Sequence, residues 1–374
     1  MKFYVFSFIL IFLFGCKPSE QKKSKATDEY SFFIGTYSGP NSDGIYKYAL
    51  NKKGHLKRIG LAAETENSSF LTLSHDKKYL IAVNETSDEN GMGTLESYRI
   101  YDDSISFIST SSSGGAHPCY VSSCENSYVI TANYTGGNLG LLSINDKGEL
   151  SDLLDIQQHN GKGTTDRQKG PHAHSVIFDP QTSNIVAADL GTNEIWLSKI
   201  DEKRQKLIPL YPHRLKMEPG AGPRHMAFHP NGNFLYVINE LNNTVSLLKR
   251  DQDEFFILGS SVFTLPLDFE GESYCADIHI SSDGRFLYAS NRGHNSIAIF
   301  KIIPENGKLI PKGHQSVHGE WPRNFSLSPD EKFLVVANQN SQNIVSFQRD
   351  KKTGLLEYIH QVDAPNPVCI LFFD

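Results

Sequence analysis

One phrase recurs along this chain about every fifty residues, and no other feature constrains its folding as strongly. The phrase is a short apolar strand, a polar turn, a second apolar strand and then Asn or Asp. It occupies residues 70–85, 119–134, 174–190, 225–240, 277–292 and 324–339. Asn84, Asn133, Asp189, Asn239, Asn291 and Asn338 mark the period, 47 to 56 residues apart. That is the spacing of four-stranded propeller blades, each of which packs on its neighbours.

The local chemistry agrees with strands. Turns at 229–232, 281–284 and 328–330 put Pro, Asn, Asp or Gly where a tight reversal needs a fixed or positive φ. The flanking runs are β-branched and aromatic, in strand lengths, and helical periodicity is absent. A third strand follows each phrase, starting near Gly93, Leu139, Ile195, Thr244, Ser296 and Asn343, and a more polar fourth strand follows that. Six copies are complete. The seventh is divided between the ends: residues 30–37 and 44–50 supply a second and a third strand, and 367–373 an inner first strand. The expected fold is therefore an all-β, seven-bladed β-propeller over residues 29–374, closed by N- and C-terminal strands sharing one blade. Closure also removes exposed sheet edges. Hydrophobic residues make up 39 % of the 374, enough for such a core. A net charge of −6 without a basic stripe excludes a nucleic-acid partner.

The N-terminus differs. Lys2 precedes an apolar run over residues 3–14, and Leu13-Phe14-Gly15-Cys16 follows the pattern of a bacterial lipobox. The run is too short for a membrane-spanning helix, which needs about 20 residues, and fits a secretory signal. Cys16 is expected to be lipid-modified, the alternative being a plain signal peptide with an incidental Cys. Residues 17–28 are polar and read as a tether. The expected location is the cell envelope, with a monomer held to the membrane only through its N-terminal lipid. The remaining cysteines, Cys119, Cys124, Cys275 and Cys369, have no zinc or redox spacing. Cys119 and Cys124 are assigned to opposite faces of one strand, and all four are expected to be unpaired buried hydrophobes.

Strand polarity sorts the residues. The first two strands of a blade are antiparallel, so the entrance to strand one and the exit from strand two share one rim, and the hairpins lie on the other. The hairpin rim carries ordinary solvated turns. The opposite rim collects His117, His172, His174, Arg224, His225, Asp277 and Arg323 before first strands, and Glu85, Asp189, Glu240, Arg292 and Gln339 after second strands. Convergent polar groups at one mouth of a channel mark the candidate site.

Three stretches carry a resemblance: residues 222–241, residues 171–180 with 188–191, and residues 277–292. Together they resemble the seven-bladed propeller lactonases, the family of the bacterial propeller-type 6-phosphogluconolactonase and the carboxy-muconate lactonising enzymes, from about Phe33 to the C-terminus. The resemblance implies ester chemistry on a lactone with no metal or other cofactor. It implies a catalytic set of His174, Arg224, Glu240 and Arg292. His172 fits the same motif region as His174, so the choice of base stays open. His172, Asp189, His225 and Arg323 are the candidate substrate contacts. An exported protein departs from the cytosolic members, which leaves the lactone unnamed.

Each residue also has a purely structural role to set beside this one. A rim His can bond a carbonyl, and a rim Arg can brace neighbouring blades. Asp189 can cap a strand, and His225 can point into the core. Glu240 can orient Arg224 or act as an acid/base partner. Trp196 and Trp321 suit packing, although Trp321 at the rim can also stack on a sugar ring. No Gly-x-Ser-x-Gly elbow is present. The Asn of the period resemble axial metal ligands, but their recurrence in every blade argues for structure. A His near pKa 6.5 can take a proton from water, and Arg can stabilise an oxyanion or hold a carboxylate or phosphate. The leading expectation is a metal-independent sugar lactonase with a small-molecule lactone substrate. The alternatives are a non-catalytic envelope propeller that binds carbohydrate or protein, and a muconate-type cycloisomerase.

Overall fold

In the computed structural model, which describes residues 1–4, 29–102 and 104–373, the repeat folds into seven four-stranded antiparallel sheets. Cys16, the tether and most of the apolar N-terminal run lie outside the described residues. The inner strands are Leu71–Leu73, Pro118–Ser123, Ala173–Phe178, Pro223–Phe228, Tyr274–Ile280, Pro322–Leu327 and Pro367–Phe372. Each lies against the inner strand of the next blade, and Pro367–Phe372 meets Leu71–Leu73, so the ring is complete. The closing blade is shared as expected. Pro367–Phe372 is its inner strand and pairs with Glu29–Thr36, followed by Gly44–Asn51 and Leu56–Glu64.

Burial grades outward. Second strands such as Phe234–Asn239 and Phe333–Asn338 are buried along their whole length. The outermost strands alternate, with exposed residues predominating, as in Leu56–Glu64. The apolar residues form seven clusters, each built from the facing sides of two adjacent blades. A blade thus buries each of its faces only against a neighbour.

The periodic Asn has a structural cause. Asn133 Nδ2 donates to the Ser113 carbonyl (2.9 Å), Asn291 Nδ2 to the Thr264 carbonyl (2.9 Å) and Asn338 Nδ2 to the Val317 carbonyl (3.1 Å). Each acceptor lies just beyond the preceding blade's outer strand, so the amide fastens the crossover to the core. Asn84 does the same at the Glu66 carbonyl (2.8 Å). Asn239 instead bonds the hydroxyls of Thr244 and Ser246. These amides are buried and each Nδ2 is engaged in the scaffold, which gives their recurrence a structural cause. The four cysteines among the described residues are unpaired. Cys124, however, falls one residue beyond the strand Pro118–Ser123 and is only half-buried, which corrects its assignment to that strand.

Both described ends of the domain are at the hairpin rim, because Phe372 pairs with Phe32 while Pro367 pairs with Thr36 near the opposite rim. Ile34, in the closing blade, is fully buried, whereas Ile59 on its outer strand is 49 % exposed. Ile34→Ala should lower unfolding free energy by about 2–5 kcal/mol, and Ile59→Ala by no more than about 0.5 kcal/mol. Chemical denaturation of the two variants checks this; equal losses would contradict the layering.

Candidate active site

The side chains of the mouth are aimed by a recurrent irregularity. Pro118 pairs with Asn133 and Tyr120 with Ala132, leaving Cys119 between them without a partner. The same step leaves out His174 between Ala173 and Ser175, Arg224 between Pro223 and His225, and Arg323 between Pro322 and Asn324. In the closing blade it leaves out Val368. A β-bulge of this kind re-aims one side chain and bends its strand. Proline suits the residue before it, since a first strand position needs no N–H donor. The second set comes from strand exits: Tyr37, Glu85, Tyr134, Glu240 and Arg292 each end or follow a second strand. Three bulge residues (Cys119, His174 and Arg323), these five exit residues and Arg167 line a cavity of about 250 Å³.

Glu240 is the electrostatic centre. Its Oε2 accepts from Arg224 Nε (3.0 Å) and Arg292 Nη2 (2.8 Å), and its Oε1 from Arg167 Nη2 (3.0 Å). Burial opposes its charge, but the guanidiniums of Arg292, Arg224 and Arg167 prevail and hold the carboxyl down at about 2. Glu240 therefore stays ionised at any working pH, which favours charge balance over the acid/base role. Arg224 is 2 % exposed and lies behind Glu240 rather than on the cavity wall. Burial, then Arg292 and Arg323, lower its pKa to about 10. Its Nη1 donates to the Ala276 carbonyl (2.5 Å) and to His225 Nε2 (3.1 Å). Arg292 Nη2 also donates to the Cys275 carbonyl (2.9 Å), and its guanidinium lies 5.4 Å from the ring of Trp321. Trp321 thus backs an arginine from the rim.

A second charged group faces the first. Arg323 Nη2 donates to Tyr37 Oη (2.6 Å), and Tyr37 Oη donates to Glu85 Oε2 (2.8 Å). Burial pushes the Tyr37 phenol up, so it stays a neutral donor. Between the two groups lies His174, 5 % exposed, with Nδ1 3.8 Å from Cys119 Sγ. Burial, then Arg224, His225 and Arg323, hold its pKa well below 6.5, so its imidazole is neutral.

Three expected substrate contacts lie elsewhere. His172 stacks on Tyr134 (centroids 4.5 Å apart), and its Nδ1 is 3.0 Å from the Tyr134 carbonyl. It braces a cavity residue from outside, whereas His174 lines the cavity. Asp189 is wholly buried, accepting from the backbone N–H of His172 and Thr192 and meeting His159 Nδ1 at 2.7 Å. It holds a turn. His225 is packed deeper in the channel, its Nδ1 2.8 Å from Asp277 Oδ1, and lines a separate space with Phe70 and Tyr120. Arg323, the fourth, does reach the cavity.

Four lining residues escaped the sequence reading as candidates. Cys119 and Tyr37 look apolar in a strand pattern, and Tyr134 looks like strand packing. Their signal was register: each holds the same position as His174 or Glu240 in another blade. Arg167 lies in the short 3₁₀ turn Asp166–Gln168. Its signal was length, because residues 159–172 form the longest connection from an outer strand to the next inner strand.

Comparison with known proteins agrees with this fold. The family model described as "Lactonase, 7-bladed beta-propeller" matches residues 31–372. The chain is 36 % identical to a 6-phosphogluconolactonase of Bacillus subtilis, over 92 % of this chain and 98 % of the relative. Among solved structures, the periplasmic gluconolactonase of Pseudomonas aeruginosa superposes with a TM-score of 0.87 at 29 % identity, covering 92 % of this chain and 99 % of its own. A Bacteroides fragilis protein, solved as a candidate 6-phosphogluconolactonase, gives 0.86 at 34 % identity, covering 94 % and 99 %.

Buried histidines make stability depend on pH. Burial and then Arg224 hold native His225 down at about 4, against 6.5 for an ordinary imidazole. Between those values the unfolded chain binds the proton and the native state does not, so stability falls as pH falls from 6.5 to 4. His174 acts in the same direction. The loss should be on the order of 2–3 kcal/mol by pH 4 from His225. Melting temperatures taken across that range should decline, and a flat profile would contradict neutral native imidazoles.

Proposed function

Because the chain belongs to the seven-bladed β-propeller lactonase family, we propose that its rim cavity hydrolyses a sugar lactone bearing an anionic group, by water activation and without a metal. The protein is a lactone hydrolase, a carboxylic ester hydrolase of sugar metabolism, and the non-catalytic scaffold reading gives way on the strength of its relatives. The observation that carries the finer proposal is the charge of the cavity. Arg167, Arg224, Arg292 and Arg323 gather around it, against Glu85 and Glu240. A surplus of fixed cations in a half-enclosed space suits a carboxylate or phosphate and the oxyanion of ester hydrolysis.

In this mechanism His174 takes a proton from water as the oxygen attacks the lactone carbonyl carbon. The oxyanion forms beside Arg292 or Arg323, and collapse breaks the ring C–O bond. The proton held by His174 then passes to the leaving ring oxygen. Burial is the main cause of the low basicity of His174, and Arg323, which lines the cavity, adds to it. An oxyanion or anionic group held by Arg323 offsets that part of the depression. Arg224, behind Glu240, positions that carboxylate and His225.

Purified protein should hydrolyse 6-phosphoglucono- or glucono-lactone well above the spontaneous rate, and His174→Ala should lower kcat about 10²–10⁴-fold. The acid limb of kcat/KM for the wild type should lie well below pH 6.5, following the depressed His174. A panel of phosphorylated and free aldonolactones left at the spontaneous rate would end the enzymatic reading.

The envelope location is part of the proposal. The Pseudomonas relative is described as periplasmic, which suits an exported chain. Since Glu29 enters the domain at the hairpin rim, a lipid on Cys16 would draw that rim toward the membrane and leave the cavity mouth facing away. Metabolic labelling with a fatty-acid probe should mark the wild type and not Cys16→Ser, and the variant should move to the soluble fraction. Equal labelling of both would remove the lipobox.

A further inference from the structure

We infer that Arg167 sets the cavity's preference for lactones carrying a phosphate remote from the ester, an inference that rests on the lactonase reading above. The cavity's arginines are not equivalent. Arg224 and Arg292 are held on strands and immersed, with side chains 2 % and 6 % exposed. Arg167 comes from a connection between blades, and its side chain is 51 % exposed.

Its backbone is nonetheless anchored. The neighbouring Gln168 is fully buried, and its Nε2 donates to the Leu190 carbonyl (2.8 Å) and to Asn193 Oδ1 (3.0 Å). Its Oε1 accepts from the N–H of Thr164 (3.1 Å) and Thr165 (3.3 Å). The turn is thus pinned to the blade, and the guanidinium is carried to a set place over the mouth. There Arg167 Nη2 donates to Tyr134 Oη (3.1 Å) and Glu240 Oε1 (3.0 Å). Tyr134 is itself backed by the stacked ring of His172.

Among the three arginines bound to Glu240, Arg167 is therefore the cheapest to recruit. Glu240 keeps Arg224 and Arg292 when Arg167 leaves, so no buried charge is stranded. An ion pair with one half-exposed partner contributes little, whereas a phosphate offers the guanidinium paired charge-assisted hydrogen bonds. The substrate's anion takes the place of Glu240 Oε1 as the partner of Arg167. The reacting carbonyl then lies deeper, toward His174. Tyr134 and Gln168 act as positioning residues.

The open-chain products test this by binding alone. Calorimetric titration of the full chain with 6-phosphogluconate and with gluconate should show the wild type preferring the phosphorylated acid by about tenfold or more. Arg167→Met should reduce that preference to within about twofold, and Arg167→Lys should restore part of it. In kinetics, the ratio of kcat/KM for the phosphorylated lactone over the neutral one should fall about tenfold, carried by KM. Gln168→Ala, which frees the turn, should lower the same ratio. The inference is overturned by a wild type with no preference, by Arg167→Met retaining it, or by a fall in kcat alone. If both lactones are turned over while the preference survives Arg167→Met, only the inference fails. If the wild type leaves both lactones untouched, the lactonase reading fails and takes the inference with it.

Discussion

A blade of this protein cannot bury its own faces, and everything else follows from that constraint. Each sheet has two apolar sides, and both are covered only by neighbouring blades, in seven clusters that run around the ring. An open ring would expose two such faces and two inner-strand flanks. The chain solves this by lending Pro367–Phe372 to Glu29–Thr36, so the last contact made in sequence joins the two ends. The periodic Asn then ties most crossovers to the core by donating to a carbonyl there.

The same geometry makes the site. Inner strands crowd toward the axis, and a bulge one residue into most of them turns a side chain into the channel. Strand exits add a second layer at the same level. Equivalent backbone positions thus present His174, Arg323 and Cys119 from one register, and Glu240, Arg292, Glu85, Tyr134 and Tyr37 from the other. The scaffold repeats, while the residues at these two registers vary freely because no blade core depends on them.

Crowding several guanidiniums is unfavourable without compensation, and Glu240 provides it. Its carboxylate joins Arg167, Arg224 and Arg292 and is in turn kept ionised by them. The result is a preorganised cationic wall beside a neutral imidazole, in a space half shielded from water. The surplus positive charge is left for a ligand.

Much of the fold was legible in the sequence, and the site only partly. The phrase, its turns and its Asn period specify blades by local rules of strand length, alternation and turn chemistry, and the count of copies requires the shared seventh blade. Strand polarity placed Glu240, Arg292, His174 and Arg323 on one rim with other polar residues, and the family resemblance singled out the first three as catalytic. It did not separate His174 from His172, or bring out Tyr134 and Arg167. Residues two apart in a regular strand share a face, and only the bulge at His174 sends one ring into the cavity and leaves the other stacked behind Tyr134. Arg224 and His225 likewise divide between the back of Glu240 and the deeper channel. Arg167 reaches the mouth through a long connection whose path is set by the burial of Gln168 in another part of the blade. What the sequence by itself determined is therefore the repeating architecture and the rim that carries function, because both follow from local periodicity. What only the tertiary structure decided is which side chain faces the cavity, because that depends on bulges and on contacts between residues far apart in the chain.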